Sequence, residues 1–451
     1  MVSSPVRIRK RHILAVVTGN ALEFYDFVTY SFFAVYIGRT FFPESLTRFS
    51  LLASLATFGV GFVMRPIGAY VIGGLGDRVG RKPAMLLSFS LMGVGIAGLA
   101  LTPSYARIGL AAPVLVVLFR LVQGFALGGE VGPTTAFLIE AAPPERRGFY
   151  ASLQYTTQDF SVLVAGLIGL GLAHTLSEQA LQEWGWRAAL LVGVAIVPFG
   201  LVLRRALPET LHAPATAVVR PTPARSYLRT ALLGGMMLAG ATTANYTNEY
   251  LATYAIHDLQ MSPSVAFGAT VIVGLCGVVC QPVSGILSDY VGRKPVMLVP
   301  LSLLLVATLP CFALIAHYRS AAALYGATFI LAGLLGLGSP ACVTWLTESL
   351  PPHIRSGALS LVYAISVSVF GGSTQFTAAA LIERTGNPLA PAWYMTAMMT
   401  LGLVAMIATR ESAPRRVGAK WPGTTPAVAA ESFVPAGAIQ GADATDRLSS
   451  Q

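Results

Sequence analysis

Charge is what this sequence lacks most. Only 11% of its 451 residues are Asp, Glu, Lys or Arg, where soluble domains run near roughly 25%, and 54% are hydrophobic. That balance excludes an ordinary water-soluble domain. Cysteine is scarce as well: Cys276, Cys280, Cys311 and Cys342 all fall within apolar runs. Cys276 and Cys280 share a helix face, but no further Cys or His at zinc spacing accompanies them, so all four read as small packing residues. None of the six histidines falls inside an apolar run, and H-E-x-x-H, G-x-S-x-G and Walker-type loops are all missing. These absences argue against a membrane-embedded enzyme and against an ATP-driven pump, and no metal site is expected.

What is present is a series of apolar runs, each near the ~20 residues that a helix needs to cross a bilayer. Twelve are expected, at 13–37, 50–76, 84–103, 112–139, 149–173, 187–205, 228–255, 264–288, 295–316, 321–347, 357–382 and 391–409. The first is too long for a signal-peptide core and has no small-residue cleavage site. The net charge of +10 resolves once the basic residues are placed, because Arg and Lys crowd the loops on one side. This positive-inside pattern puts both termini in the cytoplasm and makes the basic excess a topology signal, with no nucleic-acid partner expected.

The chain repeats itself. GGLGDRVGRKP at 73–83 returns as GILSDYVGRKP at 285–295, and EAAPPERRG at 140–148 returns as ESLPPHIRSG at 348–357. Two motifs recurring in order at nearly one offset imply a duplicated half. The expected fold class is all-α: twelve transmembrane helices in two pseudo-symmetric six-helix bundles. The division is a cytoplasmic N-terminus 1–12, a first bundle 13–205, a Pro-rich cytoplasmic linker 206–227, a second bundle 228–409 and a disordered cytoplasmic tail 410–451. Asp77, Arg78 and Arg81, with Asp289 and Arg293, sit in the first repeat; Glu140 with Arg147 and Glu348 with Arg355 keep one spacing in the second. Together they are expected to form charge networks that latch the bundles at the cytoplasmic side and so gate the carrier.

G-x-L-x-D-R-x-G-R-K, present twice, resembles the cytoplasmic signature of the major facilitator superfamily. GNALEFYDF (19–27), GVGFVMRPIGA (59–69), RLVQGFALGGEVG (120–132) and EWGWRAAL (183–190) resemble its metabolite:proton symporter group. VYIGRTFFP (35–43) and ERRGFYASLQYTTQD (145–159) are most similar to citrate and tricarballylate proton symporters. The resemblance implies a symporter of the bacterial inner membrane that imports a di- or tricarboxylate by alternating access. It would act as a monomer, with no cofactor beyond the proton gradient. A zwitterionic osmolyte, a cyclic acid, or facilitated diffusion are the alternatives.

The charges inside the spans carry the chemistry. An ionised side chain at the bilayer centre costs roughly 3 kcal/mol on insertion scales. Asn20, Glu23, Asp26 and Tyr30 nevertheless form one polar stripe on the first helix, as Arg120, Gln123 and Glu130 do on the fourth. A carboxylate whose arginine partner comes and goes is a proton switch. Asp26 with Arg120 is the expected coupling pair, an assignment the resemblance supports, with Glu23 as the other possible proton site. Arg65 and Arg120 are the basic residues placed well inside spans, and Arg187 stands where the sixth begins. Guanidinium groups grip carboxylates bidentately, so these three are the candidate anion ligands. Arg65 reads equally as a snorkelling structural residue, and Arg187 as an interfacial anchor beside Trp184 and Trp186. Gln158, Tyr30 and Asn245 complete the expected substrate contacts. The second half departs from the citrate-type pattern, with Asn245, Asn248 and Glu249 in place of aromatic and aliphatic residues and Gln375 in place of a proline, and in the first half Asp159 stands in place of an amide. Glu249 would repel a trianion if it faced the cavity, and would be harmless at the periplasmic mouth.

Overall fold

A computed structural model describes residues 20–21, 24–25, 27–42, 47–78, 81–128, 135, 138–139, 142–205, 225–350 and 355–417. Glu23, Asp26, Glu130 and Glu140 lie outside the described residues, as do most of the linker and the tail beyond 417. Asp77, Arg78, Arg81 and Arg355 are described as helix only, without their side chains.

Among the described residues the architecture is all-helical, with twelve long helical stretches. They are α1 (20–41 in its described part), α2 (Thr47–Val63 continued by Arg65–Arg78), α3 (Arg81–Leu101), α4 (Ala111–Gly128), α5 (Arg147–Thr175) and α6 (Trp186–Arg205). The second set is α7 (Arg225–Thr253), α8 (Pro263–Val291), α9 (Arg293–Tyr318), α10 (Ala321–Ser349), α11 (Arg355–Ser366 continued by Gly372–Thr385) and α12 (Ala390–Ala408). Among the described residues, eight helical stretches are long and apolar enough to cross a membrane by length and composition. The chain is a multi-pass membrane protein.

The interruptions have local causes. The break at Met64 in α2 immediately precedes the Arg65-Pro66 pair, and proline disfavours helical geometry in the residue before it and offers no N–H. The widened turn Val367–Gly371 in α11 falls on the Gly371-Gly372 pair, where backbone is cheapest to distort. Pro282, Pro300, Pro310 and Pro340 all sit inside continuous helices. Neighbouring helices can satisfy the groups each one frees, which is why membrane helices tolerate proline.

Packing relies on small residues, since apolar burial gives no net drive between helices in lipid. α2 and α4 touch backbone to backbone: a Cβ on Gly124 would overlap the carbonyl of Gly61, and one on Gly68 would overlap that of Phe125. The halves meet along two seams. In one, α5 lies antiparallel against α8 for its whole length, with Gly148 against Gly285, Leu163 against Gly274 and Gly169 against Phe267. In the other, α2 crosses α11 with Gly59 against Gly372, and Ser368 Oγ donates to the Phe62 carbonyl at 2.7 Å.

The segment after α12 corrects one expectation. Residues 410–413, expected to begin a disordered tail, are bound down, with Ser412 and Ala413 each 1% exposed. The cause is the Glu411 carboxylate, which accepts the backbone N–H of Arg293 at 2.8 Å and of Lys294 at 3.0 Å and so caps the positive N-terminus of α9.

Gly124→Val should therefore force α2 from α4, at or above the roughly 1–3 kcal/mol of an overpacked core. Gly171→Val, on α5 with no atom near its Cβ position, should be tolerated. Thermal unfolding of the two variants in detergent checks this: equal midpoints would refute the small-residue contact.

Candidate functional site

Between the halves, at mid-depth, lies a cavity of about 60 Å³ walled by α1, α5, α7, α8, α10 and α11. Its polar lining comes chiefly from α5 (Tyr155, Gln158, Asp159) and α7 (Asn245, Tyr246, Asn248, Glu249), with Gln281 from α8 and Tyr363 from α11. The volume suits a few waters and is far below the roughly 300 Å³ of a small-ligand pocket. In this arrangement the cavity must widen to take a solute.

The two carboxylates here are the departures noted in the sequence. Asp159 is 8% exposed and accepts a hydrogen bond from Gln281 Nε2 across the α5–α8 seam. Glu249 is 6% exposed; its Oε1 accepts from Asn245 Nδ2 at 2.9 Å, while Oε2 has no partner. Glu249 thus lines the central cavity and is not at its mouth. Gln375, the third departure, donates to Ser31 Oγ at 2.6 Å and ties α11 to α1. No Lys or Arg is among the described residues that line the cavity.

The nearest cation is Arg65. It borders a small adjoining hollow whose wall shares Phe24 and Tyr363 with the cavity. Its guanidinium carbon stands 4.0 Å from the Phe62 ring centroid and 4.6 Å from that of Phe27, while Nε and Nη2 are buried without hydrogen-bond partners. Ring faces stabilise a cation by about 0.5–2 kcal/mol without using its N–H groups. Those groups remain directed donors for an anion.

The other expected ligands separate. Gln158 and Asn245 line the cavity with Asp159 and Glu249. Tyr30 does not: it is fully buried inside the first half, stacks on Phe58 and donates to the Ser54 carbonyl at 3.2 Å. Arg120 is fully buried beside it, 4.4 Å from the Tyr30 ring, with Nη1 donating to Gln123 Oε1 at 2.7 Å. It faces α1, the helix that carries Asp26, and does not line the cavity. Arg187 is far from both: Nη2 donates to the Thr102 carbonyl at 2.8 Å, the guanidinium covers Trp186 at 4.2 Å, and the residue borders a separate surface hollow. That is the geometry of an interfacial anchor, and as a substrate ligand Arg187 is corrected on position.

Sequence reasoning missed Tyr155, Tyr246, Gln281 and Tyr363. A signal existed for Tyr246, one turn before the Tyr250 of a polar stretch; the lone Gln281 beside Pro282 gave none until α5 was placed against it.

At the end of the molecule that carries the repeated motifs, the second copy forms a closed network. Arg293 is fully buried; Nη1 meets Asp289 Oδ1 at 2.7 Å, and Nη2 meets Glu348 Oε1 at 2.9 Å. Asp289 also accepts the backbone N–H of Gly148 at 2.8 Å and of Phe149 at 3.0 Å. A carboxylate of the second half therefore sits on the N-terminus of α5 in the first half, where the helix dipole favours it. Arg147 opens that helix. Glu348 accepts in addition from Ser412 Oγ at 2.8 Å.

A polar cavity between two helical halves that are joined by polar contacts at one end is the arrangement of a membrane carrier. The comparisons give the family. The model described as Sugar (and other) transporter matches residues 12–213, and that described as Major Facilitator Superfamily matches 231–440. A citrate-proton symporter of Salmonella typhi is 37% identical over 400 residues, 87% of this chain and 92% of that one. An alpha-ketoglutarate permease of Escherichia coli K12 is 33% identical over 92% of this chain and 98% of its own. A proline/betaine transporter of Salmonella typhimurium LT2 is 32% identical over 93% and 86%. A partially occluded inward-open structure of the Escherichia coli xylose transporter XylE superposes with a TM-score of 0.69 at 16% identity, covering 89% of this chain and 98% of that one. The chain belongs to the major facilitator superfamily; it is a transporter and not an enzyme.

Asp289→Ala should open the motif end. Hydrogen bonds to a charged group are worth about 1.5–3 kcal/mol each, so losing even one shifts the open-to-closed ratio roughly tenfold. Ser152→Cys, introduced at a buried position packed on Gly285, reports this as a maleimide-labelling rate. An unchanged rate in the Asp289→Ala background would remove the latch.

Proposed function

We propose that the chain is a proton-coupled symporter of the bacterial inner membrane that imports a small organic acid, a tricarboxylate of the citrate kind. The observation that carries this reading is Arg65: a buried guanidinium beside the central cavity, with two N–H-bearing nitrogens unpartnered, offers the fork a carboxylate needs. The relatives named for citrate and alpha-ketoglutarate support the same chemistry. The cavity's two carboxylates favour a second reading, a zwitterion whose cationic end meets them.

The motif end faces the cytoplasm, as the basic loops require, and both termini lie there. Asp26 is the coupling residue and Arg120, packed against α1, is its partner. An ionised Asp26 is costly in the bilayer and Arg120 offsets that cost only while the two are together. Protonation removes the charge and frees the bundles to rock, with the proton gradient as the sole energy source and the monomer as the working unit.

Asp26→Asn should mimic the protonated carrier, retaining exchange of citrate across proteoliposomes while losing the share of accumulation that the Asp26 proton drives. Labelled citrate uptake with and without an imposed pH gradient decides it, and gradient-driven accumulation undiminished in Asp26→Asn would transfer the role to Glu23. Arg65→Lys keeps the charge but loses the fork; KM for citrate should rise on the order of tenfold, worth about 1.4 kcal/mol. An unmoved KM would release Arg65 from substrate binding.

A further inference from the structure

Asp159 and Glu249 come from opposite halves, α5 and α7, and line one cavity at under a tenth exposure each. Their surroundings are amides and phenols. Asp159 accepts from Gln281 of α8 and lies within electrostatic reach of Cys276 and Cys280 of that helix and Tyr155 of its own; Glu249 lies within reach of Asp159, Tyr246 of its own helix and the Arg65 charge from α2. Two further polar groups point into the same space without partners. Asn248, 2% exposed, has both Nδ2 and Oδ1 unsatisfied, and Gln281 Oε1 is unsatisfied too. Unpaired buried amides are costly in a protein interior and mark a place where something polar binds.

With both acids ionised, the cavity carries two negative charges in a low-dielectric setting, and a polycarboxylate cannot enter beside them. With both protonated, the cavity is neutral and each acid becomes an O–H donor, the hydrogen-bonding form a substrate carboxylate accepts from. We propose that Asp159 and Glu249 form a two-proton site in contact with the substrate, so that the anion binds only to the doubly protonated cavity. This rests on the carboxylate reading above. Each acid takes one proton from outer water while the cavity opens outward, donates a hydrogen bond to the bound anion, and returns the proton to inner water once the anion has left. A trianion would then travel with two protons held by its own ligands, leaving a net charge of −1 for Asp26 to cancel. Coupling of this kind needs no relay: proton and anion share one cavity, and Asp159 loses its Gln281 partner whenever the α5–α8 seam parts.

The test is the limiting accumulation of labelled citrate in proteoliposomes of the full chain, at zero membrane potential under a pH gradient of about one unit. Each coupled proton multiplies that ratio by about ten there. Asp159→Asn and Glu249→Gln should each lower it about tenfold, and the double variant about a hundredfold, whatever the uptake rates. Ratios equal to the wild-type in both single variants overturn the proposal. Should the variants not fold, the wild-type alone decides: three protons counted per citrate, two beyond the one on Asp26, support it, and two or fewer overturn it. Failure of the wild-type to take up citrate at all sinks the substrate reading, whereas wild-type accumulation with unaltered variants sinks the two-proton site alone. Proline or betaine uptake abolished by either variant, with citrate accumulation unmoved, overturns it in favour of a cation subsite.

Discussion

A charge inside a bilayer has to be met by something, and what meets each one here sorts the molecule into its parts. Arg293 is met by two carboxylates, Arg65 and Arg120 in part by ring faces, Asp159 by an amide. The strength of those answers differs. Removing one partner of a buried ion pair costs roughly 3–5 kcal/mol, so the Arg293 network is either whole or broken. Ring contacts are worth less, and at Arg65 they leave Nε and Nη2 unspent. A single amide facing a carboxylate offsets its desolvation least. The well-matched charges sit at the motif end, where the halves meet, and the poorly matched ones around the central cavity.

The Arg293 network reaches across the halves through backbone groups. Among the described residues the ion pairs of Arg293 are internal to the second half, and the first half contributes two backbone N–H groups at the start of α5. A helix N-terminus carries about half a positive charge, enough to hold a carboxylate and weak enough to release it. Asp289 is thus shared between a strong partner in its own half and a weaker one in the other. Gly148 and Gly285 make the approach possible, because a Cβ on Gly285 would stand 2.7 Å from the Gly148 carbonyl.

Helix count, the duplicated halves and the family were legible in the sequence, because apolar length and repeated turn motifs are local properties. The run expected at 149–173 is the helix Arg147–Thr175, and the run at 264–288 is Pro263–Val291. The break at Met64 was not read, although Pro66 announces it. The cavity was only partly legible, since it is assembled across the chain: Asp159 and Gln281 are 122 residues apart, and Gln375 and Ser31 are 344 apart. A polar residue within an apolar run says that it avoids lipid, not which helix it turns to. Tyr30 and Asn245 looked equivalent on that ground; one fills the core of the first half and the other lines the cavity. Arg187 looked like a ligand because of its charge, and only the ring of Trp186 beneath it places it at an interface.

Gly277 ties these threads together. It faces Asp159 across the α5–α8 seam so closely that a Cβ there would overlap the carboxylate, and Gln281, one turn further along the same helix, supplies the hydrogen bond. The acid therefore has room and a partner in only one register of α5 against α8. The same seam ends at Gly148 and Asp289, so the contact that closes the motif end also fixes the register in which Asp159 is housed. The polar contact at the motif end and the surroundings of the central acid are thus two readings of one helix–helix geometry, which ties the halves' approach at one end to the housing of the acid between them.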